Sequence, residues 1–179
     1  MTPIGHLTIG FFDNPLFRSL AMNALAQSLL STSGNGLLNE HDVSRFTAGE
    51  VREAISALVA QDKLALADAL CEAGLSLHPG DENILSMAAL MANLHQDWAR
   101  SEEYLRELMA VQGNGATEFT WNLLVRVLRC QAEPIEALKV AKDGLMHYPE
   151  SADLRRELAE LEAMFGDAAM FVGPVLQRQ

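Results

Sequence analysis

Two stretches of this chain carry the same pattern 70 residues apart, and that repetition constrains the fold more than any other feature. The first runs from Leu64 to Pro79 and the second from Pro134 to Pro149. Each is a helical apolar pattern that closes on Gly-Leu, three further residues and a proline, so Gly74 aligns with Gly144, Leu75 with Leu145 and Pro79 with Pro149. Ala67 and Ala137 place a small residue at the same point of both. An offset of 70 is two units of 35, and a fixed period in the range of about 20–50 residues is the mark of a solenoid built from repeated supersecondary units.

Helix signals fill the interval. Thr47-Ala-Gly-Glu50 is a capping box, and it predicts a helix over about 48–60 with Val51, Ala54, Ile55 and Leu58 inward. A turn at 61–63 leads to a helix over 64–77, with Leu64, Ala67, Leu70, Cys71 and Leu75 as its packing stripe. Pro79-Gly-Asp81 breaks the chain. Helices over about 82–95 and 98–111 follow, the first rich in Ile84, Leu85, Met87, Ala88, Ala89, Met91 and Ala92. Thr117 caps a helix over about 118–131, and Pro134 opens one over 134–147. A last helix over 152–165 pairs Leu154, Leu158, Leu161 and Met164 with a polar back of Arg155, Arg156, Glu157, Glu160 and Glu162.

The ends read differently. Residues 1–13 form an apolar arm broken by Pro3, Gly5 and Gly10; Asn14-Pro15 starts a helix to about Leu30; Leu37 and Leu38 belong to a short uncertain segment before Thr47. The domain plan is therefore an N-terminal arm and capping helix over 1–46, three repeats with a C-terminal capping helix over 47–165, and a flexible tail over 166–179 in which 170–174 is apolar. End caps are needed because each end of a repeat stack exposes apolar surface.

The period, Trp121, Leu124, Ala137, Gly144 and Pro149 in the third repeat, and their counterparts in the first resemble the tetratricopeptide repeat. The family's usual glycine and tyrosine in the first helix are replaced here by Val125 and Leu128, and by Ile55 and Leu58, so the packing of the two helices must differ in detail. The resemblance implies an all-α, right-handed superhelix of stacked antiparallel helix pairs, a tetratricopeptide-like α-solenoid. It also implies that the first helix of each pair lines a concave groove able to hold a peptide. In that register the groove offers Arg52, Ser56 and Val59 from repeat one; Asn83, Ser86, Leu90, Asn93 and Leu94 from repeat two; and Phe119, Asn122, Arg126 and Arg129 from repeat three. Arg126 and Arg129 share a helix face with Asn122 one turn earlier. Arginine can grip a carboxylate with two hydrogen bonds and asparagine can pair with peptide backbone. The same arginines would serve equally to neutralise neighbouring acids.

Composition narrows the function. A net charge of -11 disfavours non-specific binding to nucleic acid or an anionic membrane. No apolar run is long enough to span a bilayer, and residues 1–14 show no signal peptide, so the expectation is a cytoplasmic protein. Cys71 and Cys130 fall in separate helices and read as buried free thiols. No phosphate loop occurs, and the five histidines have no metal-ligand spacing; His78 and His147, near the ends of matching helices, read as structural. The expectation is a non-enzymatic module without cofactor or metal, binding another protein or a peptide segment. Size, acidity and repeat count resemble the translocator chaperones of bacterial type III secretion. The alternatives are an assembly subunit working through a convex face and a self-associating homodimeric scaffold.

Overall fold

The computed structural model describes residues 46–169; the expected N-terminal arm, the helix from Asn14, and the apolar segment at 170–174 lie outside the described residues. Seven α-helices occupy that span: α1 (Ala48–Ala60), α2 (Leu64–Leu77), α3 (Glu82–Leu94), α4 (Trp98–Gln112), α5 (Glu118–Cys130), α6 (Pro134–His147) and α7 (Ala152–Ala169). A single 3₁₀ turn, Gly113–Gly115, joins α4 to α5. No strand occurs among the described residues. Most of the expected helix bounds are met to within a residue. α7 is the exception, continuing to Ala169 where the sequence reading ends it near 165.

The first helix of each pair starts on a side-chain cap. Thr47 accepts from the Glu50 amide while Glu50 returns the bond to the Thr47 amide at 2.9 Å, so the expected capping box is complete. Thr117 caps α5 through the Thr120 amide, and Asp81 caps α3 through Asn83 and Ile84. The turns inside the helix pairs share one design. Lys63 donates to Leu58 O, Asp97 to Ala92 O and Glu133 to Leu128 O, each at 2.9 Å. The residue before each donor, Asp62, Gln96 and Ala132, sits at positive φ near 60°. That conformation usually selects glycine, and here three different side chains accept it.

The chain divides into two compact units, one ending at Asp97 and the other beginning at Trp98. In the first, α1, α2 and α3 pack on one another around Val51, Ile55, Leu58, Leu70 and Ile84, all without solvent exposure. In the second, α5 packs on α4, α6 and α7, and α6 on α7, around Leu124, Leu128, Ala141, Leu154 and Leu161.

The 70-residue offset extends to packing detail. A Cβ built on Gly74 would lie 3.1 Å from Ile84 and 3.2 Å from Val51; one on Gly144 would lie 3.1 Å from Leu154 and 3.2 Å from Trp121. The two glycines thus let the second helix approach both its own partner and the next helix. Where the family places its glycine in the first helix, Ile55 and Val125 are fully buried instead, so the close approach is made from the second helix. The residue after each second helix also closes its repeat. His78 Nε2 meets Phe46 O at 3.2 Å, and Tyr148 Oη donates to Ala116 O at 2.9 Å. The counterpart of His78 is thus Tyr148, as the 70-residue offset requires. His147 stacks on Trp121 with ring centroids 5.4 Å apart.

Candidate protein-binding surface

The residues singled out for a groove fall on corresponding strips of successive first helices. On α3 they are Asn83, Ser86, Leu90 and Asn93; on α5 they are Phe119, Asn122, Arg126 and Arg129. Both sets recur at i, i+3, i+7 and i+10 from the second helical residue, which places each along one line. All eight are half-buried.

In the first unit, α1 and α3 lie side by side with α2 packed on both. Arg52 is exposed. Ser56, one turn on, is buried: its hydroxyl donates to Arg52 O at 3.0 Å and lies 3.9 Å from Met87 Sδ. It therefore belongs to the α1–α3 seam rather than to an open trough. Ser86 donates its hydroxyl to Asn83 O at 2.9 Å, and the Asn83 amide is held by Asp81 at 2.8 Å.

In the second unit, α5 lies beside α7 with α6 packed on both. Here the arginines already have carboxylate partners. Arg129 Nη1 donates to Glu157 and, at 2.9 Å, to Glu160, while Arg126 Nε stands 3.9 Å from Glu157. Glu157 is only 3% exposed, so it is not part of a polar back as the α7 pattern suggests. Burial alone would lower the Arg129 pKa, but Glu157 and Glu160 together outweigh it and raise it. The guanidinium stays charged at any ordinary pH. On the same helix, Asn122 Oδ1 and Trp121 Nε1 are buried without hydrogen-bond partners.

α7 carries the corresponding strip by register, which the reading of three repeats left out. Its N-cap, Ser151, accepts from the Leu154 amide at 3.1 Å and stands where Thr117 stands for α5. Counting from there puts Asp153, Arg156 and Glu160 on the strip, with Arg156 and Asp153 paired at 2.9 Å. The 34-residue step from Thr117 to Ser151 was the available signal.

Cysteine chemistry has little support at this surface. Cys71 is buried, whereas Cys130 is exposed, against the expectation of two buried thiols. Desolvation, with Glu157 adding to it, pushes the Cys130 thiol up against the opposing pull of Arg129 and Arg126. A thiol held protonated is a poor nucleophile. Among the described residues no cluster of three histidine, cysteine or acidic side chains could hold a metal ion, and no helix is long and apolar enough to cross a membrane.

No protein-family model matches this chain, and no curated protein sequence matches it. Solved structures do. The tetratricopeptide domain of Sgt2 from Aspergillus fumigatus superposes with a TM-score of 0.61 at 16% identity, over 74% of this chain and 87% of that one. MamA (AMB-1) gives 0.62 at 14% identity, over 81% of this chain and 79% of its own. The assembly chaperone of RpL4, Acl4, gives 0.52 at 15% identity, over 84% of this chain and 60% of that one. At these identities the likeness speaks for the fold alone, and it agrees with the caps, turns and glycine contacts above: the chain folds as an all-α helical repeat of the tetratricopeptide-like kind.

Proposed function

We propose that this protein is a non-enzymatic binding module, working in the cytoplasm, that holds a segment of another protein along the first-helix strips. The observation that carries this reading is the recurrence of one strip pattern on a first helix of each unit. On α3 and α5 the same four positions are half-buried and carry asparagine, serine, leucine, phenylalanine and arginine, a mixture that offers amide hydrogen bonds beside apolar contact. Asn83, Asn93, Phe119 and Asn122 are the contacts expected to matter most. Arg52 and Arg126 add charge, and Arg129 stabilises the strip through Glu157 rather than reaching outward. One structural neighbour is by its name an assembly chaperone, which supports a chaperone or adaptor role for this chain, a secretion chaperone among the possibilities.

The test is affinity capture from the native cell with the wild type and with an Asn83→Ala/Asn93→Ala/Phe119→Ala variant. Arg129→Ala is unsuitable because it would strand the buried Glu157. The expected result is one dominant partner, lost in a variant whose thermal unfolding is unchanged. Equal retention by both proteins would move the interface to another face and favour an assembly subunit. Loss of self-association as the sole effect would favour the homodimeric scaffold.

A further inference from the structure

Helix α6 carries large apolar side chains on its exposed crest, which the crests of its sister helices lack. Ile135, Lys139, Lys142 and Met146 recur at i, i+4, i+7 and i+11, so they lie along one line of the helix, opposite the buried Ala137, Val140, Ala141 and Gly144. Ile135 is 86% exposed and Met146 75%, among the largest exposures of any large apolar side chain in the described residues. Between them stand two of the chain's three lysines.

The repeat supplies its own control. Counting back 70 residues, the crest of α2 is Ala65, Ala69, Glu72 and Ser76; by the same register the crest of α4 is Ala99, Glu103, Arg106 and Ala110, and all eight are exposed. The fold therefore makes no demand for isoleucine or methionine at these places. It is equally satisfied by alanine and serine. Two large apolar side chains thus stand in water with lysines between them, on one helix out of three, without the fold requiring them.

We propose that the α6 crest is a second docking surface, separate from the first-helix strips, for an acidic amphipathic helix of another protein. Two apolar side chains of the partner would cover Ile135 and Met146, about 16 Å apart along the axis at the usual helical rise. Carboxylates between them would meet Lys139 and Lys142. Those lysines now face Glu136 at 4.0 Å and Glu162 at 3.7 Å. Such solvent-exposed pairs contribute little and exchange readily for a better-placed partner. Charge also decides against a second copy of this chain: two α6 crests packed antiparallel would set Lys139 against the partner copy's lysines, a like-charge contact that disfavours pairing.

The test uses the full chain and two synthetic helical peptides. One carries leucines at the spacing of Ile135 and Met146 with two glutamates between; its twin carries lysines in place of the glutamates. Binding is read by fluorescence anisotropy. The wild type should bind the acidic peptide about tenfold more tightly than its twin at about 0.15 M salt, where screening confines the comparison to charges near the crest, with the preference shrinking at higher salt. Lys139→Glu/Lys142→Glu should reverse the preference. The variant Ile135→Ala/Lys139→Ala/Lys142→Glu/Met146→Ser rewrites the crest as that of α2, a set of residues already compatible with this fold, and should bind neither. Asn93→Ala/Asn122→Ala should leave binding intact. Failure of the acidic peptide to bind, equal binding of both peptides, or undiminished binding by the rewritten crest would each overturn the proposal. So would concentration-dependent self-association of the wild type that the rewritten crest abolishes, since the occupant would then be a second copy.

Discussion

The Glu157 carboxylate is almost wholly buried, and the groups that face it there are two arginines of α5. Removing charges from water is costly, and the pair recovers that cost only while both signs are present. Arg129→Met should therefore destabilise the protein by about 3 kcal/mol, because Arg126 at 3.9 Å compensates Glu157 incompletely. Arg129→Met/Glu157→Leu should regain most of the loss, because no charge is then stranded. Urea unfolding of the two variants decides the matter: equal midpoints for the single and double replacements would show that the ion pair is not what anchors α7. The same geometry revises what the arginines are for. From sequence, Arg126 and Arg129 can be read as a clamp for a partner's acidic end or as neutralisers of local acids. In the fold, Arg129 is engaged by two carboxylates of its own chain.

At the scale of an element, the two matched glycines allow an experiment with an internal reference. Alanine is favoured over glycine inside a helix by about 1 kcal/mol, so the substitution is beneficial wherever the added methyl fits. At Gly74 the tightest neighbours are the Cδ1 of Ile84 and a methyl of Val51, the outer atoms of side chains. At Gly144 two of the three nearest atoms are Cβ and Cγ of Trp121, which cannot turn away without moving the ring stacked on His147. Gly74→Ala should be near neutral, and Gly144→Ala should cost about 1–2 kcal/mol, the range of modest overpacking. Calorimetry on both proteins would expose an error if the order were reversed. Much of this element architecture was legible beforehand. Thr47, Asp81 and Thr117 mark starts, and the prolines and glycines mark stops, because capping is local chemistry written within four residues. The 70-residue offset pairs His78 with Tyr148, but their shared role was not legible, since it depends on which side chain reaches a carbonyl 32 residues away. The burial of Glu157 was missed for the same reason: its partner is 28 residues distant, and an amphipathic pattern records a residue's polarity but not its partner. The continuation of α7 past Gly166 shows that one glycine is a weak stop when no cap chemistry accompanies it.

For the whole molecule, an excess of acidic over basic groups makes the approach to acid pH informative. With 24 acidic side chains and a net charge of -11, protonation first relieves repulsion, so loss of stability in acid has to come from particular carboxylates that the folded state holds ionised. Glu102 is one. Burial alone would raise its pKa, but Arg106 Nε at 2.7 Å and Gln131 Nε2 at 2.7 Å together outweigh burial and hold it below the usual glutamate range. Glu50 is another, lowered by the amide and hydroxyl of Thr47. A carboxylate depressed by folding adds stability that is fully present above its unfolded pKa and is lost as pH falls through the folded one. The contribution of Glu102 is thus present at neutral pH and disappears below the ordinary glutamate range. Glu102→Gln keeps the shape but offers a single acceptor to two donors, and it should cost about 1 kcal/mol at pH 7, with Arg106 half-exposed and its share reduced by solvent. That cost should shrink steadily in acid, because the wild-type side chain becomes neutral as well. Urea midpoints measured from pH 7 down to pH 3 would show the two stability curves converging. Parallel curves would mean that Glu102 titrates as it does in the unfolded chain, and that the bridge from α4 through Gln131 to α5 does not hold the carboxylate ionised.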